Sequence, residues 1–303
     1  MRVLSSCGWL GAALLALFTG PLATDAAARP AATQIAEARD AGPSRAAPAL
    51  VKSDIDAWLD GYMPHALKRG DAAGAVVVVV KDGAVLTQRG FGYADVATRR
   101  PVDPETTLFR QASVSKLITW TAVMQLVEQG KIDLDRDVNA YLDFRIAPFD
   151  GKPVTMRNLM THTAGFEEVQ RGLNSYDPAK VPPLGAALKR QVPYRIFAPG
   201  TTPAYSNFGT SLAGYIVERV SGMPYDDYVE RHIFAPAGMT RSSFRQPLPA
   251  ALRPLMASGY MLGSGEPGKF ELSSLAPSGA MTASGADMGR FMIAHLADGG
   301  ALL

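Results

Sequence analysis

A continuous run of apolar, mostly β-branched residues at 75–80 gives the chain its clearest strand pattern. The run is followed by Asp82-Gly83 and by a second extended stretch at 84–90. An Asp-Gly pair between two such stretches is typical of a two-residue hairpin turn. An uninterrupted apolar run also favours a strand that is covered on both faces, as in the middle of a sheet. The sequence therefore predicts a hairpin whose first strand is a central strand.

The most apolar helical pattern occupies residues 114–129, where hydrophobic side chains point in nearly every direction around the helix. Gly130 follows at the position where glycine commonly ends a helix. A helix that is apolar on all sides is expected to be buried. After Phe109 the strand signal is weak, with one candidate stretch at 255–262. Helical spacing and capping residues predict further helices at 53–70, with Ser53 as the N-cap, and at 156–160, 208–220, 225–234 and 286–296.

Composition excludes several classes of protein. The chain has 303 residues, of which 47% are hydrophobic, so it can bury a substantial core and is not a disordered protein. Its 30 basic and 28 acidic residues give a formal net charge of +2, which gives no reason to expect a nucleic acid partner. The single cysteine, Cys7, and 4 scattered histidines show no ligand spacing, so the sequence predicts no metal and no other cofactor.

The N-terminus has the pattern of a secretion signal. Arg2 precedes an apolar stretch at 9–18, and Ala26-Ala27-Ala28 fits a cleavage site. The apolar stretch is too short for a stable membrane span. We therefore predict a secreted or periplasmic protein with a signal peptide at 1–28, a flexible Ala/Pro-rich linker at 29–50 and a folded domain at 51–303.

A candidate nucleophile lies where a short extended segment at 108–110 gives way to the apolar helix. Ser113 and Lys116 are three residues apart, so their side chains share one face of a helix. A serine hydroxyl becomes nucleophilic when a neighbouring base takes its proton, and a neutral lysine can be that base. Burial and a helix N-terminus both disfavour the charged form of an amine. The pattern predicts acyl transfer through a covalent serine intermediate, and the simpler alternative is a capping serine beside a solvated lysine.

Four blocks of the chain resemble the serine β-lactamase and penicillin-binding protein superfamily. Within it, the class C β-lactamases and their related esterases and D-amino-acid peptidases are the most similar branch. The S-x-x-K spacing is a known motif of that superfamily. The resemblance extends from about residue 51 to the end of the chain. The blocks are residues 109–116, 159–166, 199–200 with Tyr205-Ser206-Asn207, and 278–281 leading into 286–288.

The resemblance implies a fold and roles in a site. The implied fold is α+β with two lobes, an antiparallel sheet flanked by helices beside a mostly helical lobe. Ser113 is implied as the nucleophile, with Lys116 and Tyr205 as the groups that move its proton. Asn207 is implied as a hydrogen-bond partner of Lys116 or of a substrate amide, and His162 as a structural residue. The implied partners are small-molecule or cell-wall-derived substrates, namely a β-lactam, an ester or a D-amino-acid peptide.

The resemblance leaves an alternative function open and one motif unaccounted for. The alternative to an enzyme is a non-catalytic domain that binds cell-wall peptides or acts as an interaction module. In addition, the K-T-G or H-x-G motif of the superfamily, which adjoins an oxyanion donor, is not found between Met281 and Leu303. The resemblance also implies further antiparallel strands and a helix there. We therefore expect residues 1–303 alone to lack sheet strands and to be poorly active, and unchanged turnover would contradict this expectation.

Overall fold

The computed structural model of the protein describes residues 48–297 together with residues 300 and 302. The predicted signal peptide, and the predicted linker through residue 47, lie outside these residues. The folded unit that they form begins at Ala49. No helix among the described residues is both long enough and apolar enough to cross a membrane.

The predicted hairpin begins a three-stranded antiparallel sheet. β1 (Gly74–Lys81) pairs with β2 (Ala84–Asp95), and β2 pairs with the short β3 (Arg100–Pro101). At the turn, Asp82 and Gly83 both adopt positive φ, of 50° and 74°. Two consecutive left-handed residues give a hairpin turn whose twist matches that of the strands it joins.

The described part of the chain contains seven α-helices, and most of them begin and end close to the predicted positions. Ser53 lies inside the first helix, whose N-cap is Val51, so the predicted capping role of Ser53 is wrong. The fourth helix was not predicted. The helices are α1 (Lys52–Gly70), α2 (Ser115–Glu128), α3 (Met156–Met160), α4 (Leu184–Arg190), α5 (Asn207–Ser221), α6 (Tyr225–Val229) and α7 (Gly285–Leu296).

β1 is an edge strand among the described residues, because the strand order is β1-β2-β3. The prediction of a central strand is therefore wrong for this part of the chain. α7 packs against β1, where Gly285 lies against Val76 and Val78, while α1 packs mainly against β2. Every residue of β1 is half-buried. The apolar run indicates that helices cover the sheet, and such coverage does not determine whether a strand edge is paired.

The mostly helical lobe is built around α2 and α5, which pack against each other. Ile118 and Ala122 of α2 and Leu212 and Ile216 of α5 are fully buried in one apolar cluster. Together with the helix-flanked sheet, this lobe confirms the implied two-lobed α+β fold for the described residues.

A second small sheet positions the segment that carries the candidate nucleophile. Its strand order is β4 (Leu108–Arg110), β10 (Thr282–Ser284) and β6 (Ser242–Ser243). Gln111, just after β4, donates its backbone N–H to the carbonyl of Met281 at 2.8 Å. β10 was not predicted, because three residues are too few to show an alternating pattern. The strands after β3 are β4 (Leu108–Arg110), β5 (Asn174–Ser175), β6 (Ser242–Ser243), β7 (Gly259–Tyr260), β8 (Pro267–Gly268), β9 (Leu272–Ser273) and β10 (Thr282–Ser284).

Gly285→Ala is expected to destabilise the protein by about 1–3 kcal/mol, because added atoms strain a filled core. A Cβ at Gly285 would lie 2.6 Å from Val76 Cγ2 and 3.2 Å from Val78 Cγ2. Urea unfolding measures the change. The matched control is Gly61→Ala in α1, where no described atom lies within 4 Å of an added Cβ. Gly61→Ala should stabilise by about 0.5–1 kcal/mol, and destabilisation of both variants to the same extent would contradict the packing argument.

Candidate active site

Ser113 lies in a single 3-10 turn, Ala112–Val114, between β4 and α2. The residue before it, Ala112, has a φ of 49°, a left-handed conformation that is uncommon for alanine. The carbonyl oxygen of Ala112 lies 3.1 Å from the place that a Cβ would occupy at Gly279. The turn after β9 therefore packs closely against the chain just before Ser113, and Ser113 itself is exposed.

Lys116 lies one helical turn after Ser113 and is only 4% exposed. Its Nζ is 3.0 Å from Ser113 Oγ, 2.8 Å from Asn207 Oδ1 and 2.6 Å from the carbonyl oxygen of Ser278. The structure thus brings Ser113, Lys116 and Asn207 together. The hydrogen bond to the Ser278 carbonyl was not predicted, although residues 278–281 were among the resembling blocks. Every residue has a backbone carbonyl, so the sequence does not indicate which of them accepts a hydrogen bond from Lys116.

Tyr205 approaches the same hydroxyl from the start of α5. Its phenolic oxygen is 2.8 Å from Ser113 Oγ, and the centroid of its ring is 4.7 Å from Lys116 Nζ. Ser206 is the N-cap of α5, and its hydroxyl accepts the backbone N–H of Gly209 at 3.0 Å. The capping serine fixes where the helix begins, so the side chains on either side of it, Tyr205 and Asn207, are both held at Lys116.

The segment after α3, residues 162–163, contacts Tyr205 and the loop that precedes it. Its backbone binds the 200–204 loop, because Gly200 donates to the carbonyl of Thr163 at 2.9 Å and Ala204 to that of His162 at 2.7 Å. The ring of His162 lies 4.6 Å from that of Tyr205, and its Nδ1 accepts the N–H of Ser206 at 3.3 Å. Among the described residues, the hydrogen-bond partner of the His162 ring is a backbone amide and not Ser113.

Burial lowers the pKa of His162, and the positive charge of Lys116 lowers it further, while Glu168 opposes the shift. An imidazole Nδ1 that accepts a hydrogen bond must be unprotonated. The lowered pKa and the contact with Ser206 therefore both favour the neutral ring.

Glu168 was not predicted by any pattern in the sequence, yet its carboxylate contacts the site. Glu168 Oε2 accepts the backbone N–H of Asn207 at 2.8 Å, and Oε1 accepts the side-chain amide of Asn207 at 2.7 Å. Glu168 itself is exposed. Asn207 is thereby held between a carboxylate on one side and Lys116 on the other.

The surface beside Ser113 is partly apolar. Val114 is 45% exposed and Leu117 is 47% exposed, so the prediction that the helical stretch at 114–129 is buried on all sides is wrong at these two positions. Leu117 lies four residues after Ser113 and therefore on the same face of the chain. Helical spacing shows which residues share a face, and it does not show whether another element covers that face.

A family model described as "Beta-lactamase" matches residues 59–303 of the chain. PbpX of Bacillus subtilis (strain 168) is 34% identical over 225 residues, which is 71% of this chain and 52% of that protein. Esterase EstB of Burkholderia gladioli is 32% identical over 267 residues, 79% of this chain and 68% of that protein. The chain spans about half the length of its Bacillus relative.

A solved structure has the same fold over most of the chain. It is that of the octameric penicillin-binding protein homologue from Pyrococcus abyssi, with a TM-score of 0.71 and 26% sequence identity. The match covers 82% of this chain and 58% of that one.

The protein is expected to lose stability as the pH falls below about 6.5, the usual pKa of histidine. Because the pKa of His162 is lowered on folding, the unfolded chain binds the proton more tightly, and stability declines until the pH has passed the lowered value. Thermal unfolding from about pH 7 to about pH 5 measures the loss.

His162→Asn is the matched variant for this measurement. Asparagine does not titrate and tolerates the left-handed backbone at this position, where φ is 55°. Its stability should depend less steeply on pH over the same range. An unchanged slope would show that His162 does not carry the effect.

Proposed function

Because the chain belongs to the β-lactamase family, we propose that it is a serine hydrolase that works through a covalent acyl-enzyme at Ser113. The proposed substrates are a β-lactam, an ester or a D-amino-acid peptide. The observation that carries the proposal is the buried Lys116 side chain, whose Nζ lies 3.0 Å from Ser113 Oγ.

The partners of Lys116 suit both states that a base must pass through. A neutral amine has two N–H groups and one lone pair, whereas an ammonium has three N–H groups and no lone pair. Asn207 Oδ1 and the Ser278 carbonyl only accept, so they take two N–H groups in either state. The Ser113 hydroxyl can donate to the lone pair or accept the third N–H. Lys116 can therefore take the proton of Ser113 without any partner moving.

The proposed reaction has two halves. In the first, Ser113 Oγ bonds to the acyl carbon of the substrate while its proton passes to Lys116. The bond from that carbon to the leaving nitrogen or oxygen then breaks, and the leaving group takes the proton by way of Tyr205, whose hydroxyl lies 2.8 Å from Ser113 Oγ. In the second half, water attacks the acyl carbon, the acid leaves and Ser113 regains a proton.

The start of α2 supports the charge that develops during this reaction. Ser113 lies two residues before the start of this 14-residue helix, whose N-terminus carries a partial positive charge. Negative charge on the substrate oxygen is stabilised there, and such stabilisation is commonly a large part of acyl-transfer catalysis.

Two further proposals rest on the relatives and the N-terminus. One relative is an esterase and one structural neighbour is a penicillin-binding protein homologue, which supports the proposed substrate classes. The predicted signal peptide supports a secreted or periplasmic location.

Low activity of residues 1–303 alone stays a prediction. Turnover of nitrocefin, p-nitrophenyl butyrate and a D-alanyl-D-alanine peptide distinguishes the three substrate classes.

Ser113→Ala is expected to abolish covalent labelling by a fluorescent fluorophosphonate or penicillin, because it removes the only atom that forms the acyl bond. Labelling is measured by in-gel fluorescence and by intact mass. Ser115→Ala is the matched control, since it is a buried serine two residues away, and it should still be labelled. Labelling that survives Ser113→Ala would place the nucleophile elsewhere, and an unlabelled wild type would favour a non-catalytic binding domain.

Lys116→Ala is expected to lower kcat/KM for the best of these substrates by about 10²–10⁴-fold, the usual contribution of a positioned base. The exposed Lys180, in a turn before α4, provides a lysine control. Lys180→Ala should leave kcat/KM unchanged within error. Comparable activity of Lys116→Ala and wild type would remove Lys116 from the mechanism.

A further inference from the structure

We propose that Glu168 is a positioning residue of this site, which holds the Asn207 amide so that its oxygen faces Lys116. The inference rests on the proposed function, and it goes beyond it by assigning a role to a residue that no motif in the chain singles out.

Glu168 accepts two hydrogen bonds from Asn207. One carboxylate oxygen accepts the backbone N–H of Asn207 at 2.8 Å, and the other accepts its side-chain Nδ2 at 2.7 Å. Gln170 Nε2 donates to Oε1 as well, at 3.1 Å. Since Asn207 is the first residue of α5, its N–H has no partner within the helix, and Glu168 supplies one from outside.

The hydrogen bond from Asn207 Nδ2 to Glu168 determines which way the side-chain amide of Asn207 points. The oxygen and the NH₂ group of an asparagine have nearly the same shape, so packing alone does not select between its two orientations. A carboxylate only accepts hydrogen bonds, so the NH₂ group must face Glu168. The amide oxygen is then left facing Lys116 Nζ, at 2.8 Å. In the reversed orientation the NH₂ group of Asn207 would either oppose an N–H of Lys116 or occupy the lone pair that has to receive the proton of Ser113.

This orientation matters for catalysis because Asn207 Oδ1 is one of the two fixed acceptors that occupy N–H groups of Lys116. Loss of that acceptor frees an N–H to compete for Ser113 Oγ, and it lets the amine turn away from the hydroxyl. Small displacements of a catalytic group reduce a rate by up to about a hundredfold.

Glu168→Gln tests the inference with almost no change in shape. A glutamine has one accepting atom at its end, so it cannot replace both carboxylate oxygens, and its NH₂ favours the reversed amide when it faces the Asn207 side chain. We expect a tenfold or larger fall in kcat for p-nitrophenyl butyrate, or for whichever probe wild type turns over, with KM little changed. Glu167→Gln is the matched control, because among the described residues the Glu167 side chain accepts one hydrogen bond, the N–H of Tyr194 at 3.3 Å, and the variant should keep the wild-type kcat.

A double-mutant cycle separates positioning from a general effect of charge or stability. If Glu168 acts through the Asn207 side chain, Glu168→Gln should change kcat by less than twofold in a protein that already carries Asn207→Ala. An effect of the same size in both backgrounds would overturn the proposal, because the charge of Glu168 or the stability of α5 would then act without Asn207. Thermal unfolding of each variant identifies any that fails to fold.

A structural measurement decides the inference even if the protein proves not to be a hydrolase. In a crystal structure of Glu168→Gln, the Asn207 side-chain amide is expected to leave hydrogen-bonding distance of Lys116 Nζ. If wild type is neither labelled nor active, the proposed function fails. The distance between the Asn207 side-chain amide and Lys116 Nζ then tests the positioning role of Glu168 by itself. An Asn207 amide that stays within hydrogen-bonding distance of Lys116 in that variant would overturn the positioning role in either case.

Discussion

The buried amine of Lys116 is the point on which the site and much of the helical lobe depend. Its three oxygen partners among the described residues come from three separate segments, namely the turn before α2, the start of α5 and the turn that precedes β10. A buried polar group without partners costs several times what a hydrogen bond contributes, so none of these segments can move alone. The nitrogen thus ties together elements that are distant in the sequence.

The neighbouring contacts keep that junction in place. Thr119, one turn further along α2, donates to the carbonyl of Pro277 at 2.8 Å and shares a hydrogen bond with the Tyr225 hydroxyl. The left-handed Ala112 lies against Gly279 in the same turn. An uncommon backbone conformation persists only where its surroundings enforce it, and here the surroundings are the turn that also supplies an oxygen to Lys116.

Local spacing made part of this site predictable. Ser113 and Lys116 are three residues apart, and Tyr205 and Asn207 flank a capping serine, so short-range geometry brings each pair to one place. Glu168 escaped prediction because its partner Asn207 lies 39 positions further along the chain, and β10 because its three residues are too few to show an alternating pattern. The exposed faces of Val114 and Leu117, and the edge position of β1, escaped it because periodicity does not show what covers a surface.

By itself the sequence determined the hairpin, most of the helices, the family resemblance and the residues of the two short motifs. The hairpin, the helices and the two motifs follow from spacings of a few residues, where backbone geometry dictates which side chains share a face, and the resemblance follows from the order of four such short blocks. Only the tertiary structure decided which oxygens surround Lys116 and which carboxylate orients Asn207. Lys116 and the carbonyl of Ser278 are 162 positions apart, and Glu168 and Asn207 are 39 apart. Contacts across such separations depend on how the helices pack, which no local pattern records.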